Sequence, residues 1–375
     1  MLLRLLTCMR LFLLILILLS VLFIPGVTLV ADIPLDDELK WNLFGRVRLR
    51  FEQDDDSNPL RGHRTRARIG NYAGLKYTPD EHWDFIVRGR VGDKRDSRVV
   101  DMTYYTWEDF SYGQRGAFAD QYFLRYTGED TQITMGRANM PFWMNTEKLW
   151  DEDITPLGAS MSSGLNLGSQ PVRLSLGSFH MPDGLEHFHV WMHAAQVLWS
   201  QKGNDWNWQW ALSLYDRQGE EGARYLPLGQ DARDQLFGVF SAKLSGQLLD
   251  RPAYFGLDLF ENFETHSADD PNAFTRTFRN ETTGYAFAFN LGENKKQGDW
   301  RFRYVFARVE GLAAMSSYAT TSFGWLLKSN VIVHDFRADY SMTHKWRITG
   351  RISPAQEILG TRKSTRYRID FSRSF

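Results

Sequence analysis

The sequence predicts an all-β protein: a transmembrane antiparallel β-barrel of about sixteen strands, preceded by a cleavable signal peptide. Three observations carry this. Short segments in which every second residue is apolar recur along the chain, and period two puts those side chains on one face of a strand. No stretch after the N-terminal region approaches the roughly 20 apolar residues of a spanning helix. The last residues, Tyr367 to Phe375, alternate into a terminal aromatic.

Composition narrows the class further. The 375 residues include 26 Phe, 15 Tyr and 13 Trp, yet the mean hydropathy is −0.39. So much large apolar surface excludes disorder, and a net charge of −1 disfavours a nucleic-acid binder built on bulk positive charge. The sole cysteine, Cys8, excludes a disulfide framework and a Cys-based zinc site. No cofactor motif is present: there is no phosphate loop, nucleophile elbow or His-Glu-x-x-His. His187, His189 and His193 alternate on one strand, but His189 and His193 would stand roughly 13 Å apart, so no metal site is expected.

From the N-terminus, Arg4 and Arg10 precede the apolar run Leu11–Ile24, which ends at Pro25-Gly26. The run is short for a membrane helix, and small Ala31 follows it. Residues 1–31 therefore read as a signal peptide and 32–43 as a short periplasmic segment, with the barrel over 44–375. Strand-like segments begin near Phe44, Arg64, Trp83, Phe118, Thr131, Val172, Val190, Trp206, Leu236, Phe255, Gly284, Trp300, Val331, Trp346 and Thr365. One more is placed within Ala313–Leu327, giving sixteen, with fourteen or eighteen left open. Trp83, Tyr126, Trp199, Trp206 and Trp300 fall near strand ends, as interfacial girdles require. The opposite faces carry Arg, Asp, Asn and Gly, which suits a wet lumen.

The first strand alternates Val47, Leu49 and Phe51 with Arg46, Arg48 and Arg50; the second alternates Thr65, Ala67 and Ile69 with Arg64, Arg66 and Arg68. Arg88 and Arg90 follow in the third, Arg347 and Arg351 in the penultimate strand, and Arg366 and Arg368 in the last. Closing a barrel sets the last strand beside the first, so twelve arginines would line one side of the lumen. Guanidinium groups suit carboxylates and phosphates and stay charged. That ladder reads as an anion path, with Arg48, Arg66 and Arg88 at its centre. The competing reading is bracing, with Glu52, Asp84 and Asp370 pairing across strands. The stretch 138–170 breaks the strand rhythm, and long loops of this kind are commonly functional. Folded inward, it would set Asp151, Glu152 and Asp153 opposite the arginines as a constriction; an extracellular loop is the alternative.

Several segments occur together in order: Gly45-Arg-Val-Arg-Leu-Arg-Phe-Glu52, Arg64-Thr-Arg-Ala-Arg-Ile-Gly70, Gly136-Arg137 to Pro141-Phe142, and Trp150-Asp-Glu-Asp153 through Pro156-Leu-Gly158. The combination resembles a bacterial family of outer-membrane porins related to the phosphate-selective and alginate-export barrels. The ending resembles the terminal strand read by the barrel-assembly machinery, with Phe375 as the signal and Arg373 as a departure. The resemblance implies an outer-membrane channel of about sixteen strands that can form a homotrimer. Its partners would be membrane lipid, lipopolysaccharide and small hydrophilic or anionic solutes. Many members carry a helical periplasmic segment, whereas only Asp32–Leu43 precedes the barrel here. A barrel hydrolase acting on lipid or peptide would need a Ser–His pair, and nothing in the spacing of Ser175, Ser213, Ser322, His334 and His344 makes one. A plugged structural barrel is the third reading.

Overall fold

The computed structural model describes residues 40–58, 62–93, 101–113, 115–167, 170–182, 188–219, 233–315, 317–320, 326 and 328–375. The expected signal peptide lies outside these residues, as does most of the 32–43 segment. The described residues form seventeen strands: β1 (Trp41–Asp56), β2 (His63–Tyr77), β3 (Trp83–Asp93), β4 (Met102–Thr106), β5 (Arg115–Thr127), β6 (Thr131–Arg137), β7 (Leu157–Leu167), β8 (Gln170–Pro182) and β9 (Phe188–Gln201). β10 (Trp206–Arg217), β11 (Gln235–Leu248), β12 (Arg251–Asn262), β13 (Thr283–Gly292), β14 (Trp300–Val309), β15 (Val331–Ser341), β16 (Trp346–Glu357) and β17 (Lys363–Ser374) complete the set.

Each strand pairs antiparallel with its neighbours, and β17 returns to β1, where Leu49 faces Phe371. β4 is an accessory strand: it pairs with β2 over Arg66–Ile69, beyond the part of β2 that pairs with β3. β3 passes on to β5. Among the described strands sixteen therefore close the circuit, and each of the sixteen is paired on both sides. Closure is what lets a β-structure sit in lipid, because no backbone group is left to hydrogen-bond with water.

Connections divide by length. Residues 78–82, 128–130, 202–205, 249–250 and 342–345 make short turns at one rim, while 138–156 and 263–282 make long connections at the other. The outward faces are apolar, with Phe85, Val87, Leu176, Leu212, Leu214, Phe302 and Phe336 all exposed. The girdle residues gather at the short-turn rim. There Trp83 meets Tyr126 at 5.0 Å between ring centroids, Trp199 stacks on Trp210 at 4.2 Å, and Trp300 meets Tyr340 at 4.6 Å.

Two sequence expectations are corrected. The sixteenth strand is not in Ala313–Leu327, whose described residues form no strand; it is β7, Leu157–Leu167. The irregular stretch accordingly ends at residue 156 rather than 170. β7 reads LGASMSSGLNL, too rich in Gly and Ser to stand out by apolar alternation. β1 also begins at Trp41, three residues before the expected start.

The lumen is not uniformly wet. Phe179, Met181, Val190, Met192, Tyr215, Phe237, Val239, Val331 and Val333 are buried and form one apolar cluster inside β8–β15. Leu149, Trp150 and Ile154 of the 138–156 loop join it, with Ala313, Ala314, Met315 and Tyr318 of the β14–β15 connection. Each large side chain buried this way contributes about 1.5–3 kcal/mol, so this filling is a genuine core within the barrel.

Candidate functional site

The strand register brings the predicted arginines together on the inner face of β16–β17–β1–β2–β3. Across the seam Arg50 faces Asp370, Glu52 faces Arg368 and Asp54 faces Arg366. Each pair bonds directly: Arg50 Nε donates to Asp370 Oδ1 at 2.7 Å, Arg368 Nη2 to Glu52 Oε2 at 2.8 Å, and Arg366 Nε to Asp54 Oδ1 at 2.6 Å. From β2, Arg64 Nη2 donates to Asp54 Oδ2 at 2.7 Å, Arg66 pairs with Glu52, and Arg68 lies 3.6 Å from Glu52. Arg88 grips Asp120 of β5 with two bonds of 3.0 and 2.5 Å, and Arg90 stands 3.6 Å from the same carboxylate. On the other flank Arg351 makes a two-pronged pair with Asp335, at 2.6 and 2.7 Å.

Most of the ladder is therefore an alternating charge lattice. Glu52 and Asp370 take part in it, whereas Asp84 pairs with Lys76 at 2.8 Å and stays apart. Asp101, between β3 and β4, is a further buried anchor of the lattice. Arg48 Nη2 donates to it at 2.5 Å, Arg50 also reaches it, and Arg68 Nη2 donates to its carbonyl at 2.6 Å. Burial alone would raise the Asp101 carboxyl, but Arg48, Arg50 and Arg68 hold it well below the usual carboxylate range.

Arg46 and Arg347 differ. Arg46 lies over the ring of Tyr72, 5.1 Å from its centroid, and Arg347 Nη2 donates to the Asn294 carbonyl at 3.3 Å. Neither meets a carboxylate among the described residues. Arg303 of β14, which donates to the Asn145 carbonyl at 2.9 Å, is a third of this kind. Arg301 and Arg337 pair with Asp339, each through bonds or contacts of 3.0 Å or less. Sequence reading missed Arg301, Arg303 and Arg337, although Trp300-Arg-Phe-Arg-Tyr304 carries the same alternation as the first strand.

The 138–156 loop crosses the barrel interior. Trp143 N donates to Gln196 Oε1 of β9 at 2.9 Å, and Asn145 Nδ2 donates to the Ala242 and Leu257 carbonyls of β11 and β12 at 2.9 and 3.1 Å. Thr146 Oγ1 donates to Asp258 Oδ2 at 2.7 Å. Further on, Trp150 stacks on Tyr318 with 5.6 Å between centroids, and Asp151 N donates to the Tyr318 carbonyl at 2.8 Å. Thr155 Oγ1 returns the chain to β5 by donating to the Asp120 carbonyl at 2.6 Å. Gly136 precedes this path with a φ of 120°, a conformation that favours glycine; a Cβ there would strike the Tyr122 carbonyl.

Between loop and wall is a cavity of about 680 Å³. Its lining includes ten arginines, among them Arg46, Arg48, Arg50, Arg303, Arg347 and Arg368, and six acids: Asp101, Glu147, Asp151, Glu152, Asp153 and Asp370. A smaller cavity of about 230 Å³ adjoins it, bounded by Tyr72, Arg88 and Arg90 and sharing Arg46, Glu152 and Asp153. Burial and the neighbouring Glu147 and Asp153 push the Asp151 carboxyl up to about 7 and raise Glu152 as well. Burial lowers the Lys148 ammonium to about 7. The loop thus sets a carboxylate edge facing a guanidinium wall.

Among the serines and histidines weighed for other chemistries, Ser175, Ser213 and His334 have partners of their own. Ser175 shares a 2.8 Å hydrogen bond with Ser162, Ser213 accepts from Gln196 at 2.8 Å, and His334 bonds Tyr304 at 2.8 Å. Ser322, His187 and the His189 side chain lie outside the described residues. Phe375 joins the seam, exchanging backbone hydrogen bonds of 2.8 and 3.0 Å with Gly45.

No protein-family model matches this chain, and no curated protein does. Solved structures do. The high-pH structure of Pseudomonas putida OprB superposes with a TM-score of 0.56 at 9% identity, covering 90% of this chain and 94% of that one. Pseudomonas aeruginosa OccK9 (OpdG) matches with a TM-score of 0.50 at 10% identity, over 89% and 98% of the two chains. A loop-deleted OmpT, an outer membrane protein of Vibrio cholerae, gives 0.50 at 10% identity, over 90% and 100%. The chain shares the barrel fold of these outer-membrane proteins.

Proposed function

We propose that the protein is a passive channel of the bacterial outer membrane, passing small hydrophilic solutes and favouring anions. The observation that carries this reading is the cavity between loop and wall, where ten arginines outnumber six acids. Solutes move down their gradient, and no bond is made or broken. The path is confined to one sector of the barrel, because the apolar cluster fills the other. Fixed guanidiniums in that sector raise the local concentration of anions, while the loop acids Asp151, Glu152 and Asp153 narrow the path and moderate the preference. Phosphate, organic acids and acidic sugars are the solutes to try first, given the kinship the motifs suggest. Contacts with lipid and lipopolysaccharide, recognition of β17 by the assembly machinery, and a trimeric state complete the proposal.

The test is a planar bilayer carrying the refolded barrel, with reversal potential read across a salt gradient. Stepwise openings with anion preference are expected. Replacing Arg48, Arg66 and Arg88 together by glutamine frees Asp101, Glu52 and Asp120 from part of their pairing, so selectivity shifts toward cations. Unchanged selectivity in that variant rejects the arginine path. A folded barrel that never conducts rejects the channel and leaves a plugged structural barrel.

A further inference from the structure

Two sets of charges face each other across the cavity without meeting. Among the described residues, Arg46, Arg303 and Arg347 form no ion pair with a carboxylate, and Glu147, Asp151, Glu152 and Asp153 form none with a cation. The Nε atoms of Arg46 and Arg303 are buried without an acceptor. In a mobile site such charges would collapse onto one another. Here they are held apart: the wall by its strands, and the loop by its bonds to Gln196, Asp258 and Tyr318.

Building on the channel reading, we propose that this cavity is a binding station for zwitterionic solutes of amino-acid or dipeptide size. The solute carboxylate would lie against Arg46 and Arg347, and its ammonium against Asp151 and Glu152. A simple anion satisfies the wall and leaves the loop edge unanswered, and a simple cation does the reverse. A solute with both charges answers both sides and adds no net charge to the path. Arg recognises a carboxylate through paired donors, whereas an ammonium donates to acceptor oxygens in almost any arrangement around it. The distinction fits a flat wall of guanidiniums opposite a cluster of carboxylates.

The experiment is swelling of proteoliposomes containing the full barrel, in isosmotic L-glutamine and in arabinose, a neutral solute of similar size. Glutamine is expected to enter about threefold faster, a ratio typical of charge contacts that stay hydrated. The triple variant D151N/E152Q/D153N and the double variant R46Q/R347Q should each bring the ratio near one. Their ion selectivities should move oppositely, further toward anions in the first and toward cations in the second. That opposition separates recognition of both charges from an effect of net charge alone. Equal entry of the two solutes into conducting liposomes overturns the zwitterion station and leaves the channel standing. No entry of either solute, with a folded barrel, overturns both.

Discussion

The inner surfaces of β16–β17–β1–β2 and of β8–β13 are built from the same pleated backbone and solve opposite problems. The first sector is rich in inward charge: Glu52 and Asp54 each face an arginine on both neighbouring strands, while Arg50 faces Asp370 on one side and Arg68 on the other. The second carries an apolar cluster, with Met181, Met192, Tyr215 and Phe237 buried against the crossing loop beside the polar anchors Gln196 and Asp258. The change also occurs along a single strand: on β15 the inward residues run Val331, Val333, Asp335, Arg337, Asp339. The charged sector keeps a cavity between wall and loop, whereas the apolar one is packed against the loop. On the proposed channel reading, this asymmetry rather than barrel size sets the width of the pore.

The strongest way to break this comparison is to remove the filling. Excising residues 140–154 and bridging the gap with a short Gly-Ser turn should raise single-channel conductance severalfold, since a sixteen-strand lumen is wide when unobstructed. If conductance stays unchanged, the loop is not the constriction.

A matched pair of substitutions sharpens it. Glu52→Gln leaves Arg66, Arg68, Arg366 and Arg368 around an uncharged amide, at a cost of about 3 kcal/mol for breaking buried pairs. Met192→Ala in the apolar sector should cost a similar ~2–5 kcal/mol through the cavity it leaves. Urea titration of the detergent-solubilised barrel should show both losses. Only Glu52→Gln should also make the channel more anion-selective. Equal selectivity in the two variants would show that the lattice does not face the path.

The smallest effect expected is one of pH. The Asp151 carboxyl, pushed up to about 7, is ionised above that pH and neutral below it. Lys148, lowered to about 7, gains its charge over the same interval. Both changes add positive character as pH falls, so anion preference should be stronger at pH 5.5 than at pH 8.5. Asp151→Asn should flatten most of the difference.

Much of this was legible in the residues. Period two, the girdle aromatics and the arginine alternation need only local sequence, and fifteen of the sixteen circuit strands came from them. β7 was hidden because Gly and Ser carry little alternation signal. The ladder's partners were harder to see. Asp101 and Asp120 reach the arginines from sites more than 30 positions away, and only the register reveals them. The inner apolar cluster was invisible for a related reason. Inward Met181, Phe237 and Val333 resemble ordinary strand residues until the crossing loop is placed against them.

The seam carries a further consequence for how the molecule is made. Arg50 and Asp370, 320 positions apart, can meet only once the whole chain is present, and closures of such span are slow to find. Along that seam the inward order is Arg50, Glu52, Asp54 against Asp370, Arg368, Arg366. A slip of two residues would keep inward faces inward, so hydrophobicity alone could not detect it. It would, however, set Arg50 opposite Arg368 in one direction and Glu52 opposite Asp370 in the other. The charges thus act as a vernier, rejecting misaligned closures that the pleat would accept.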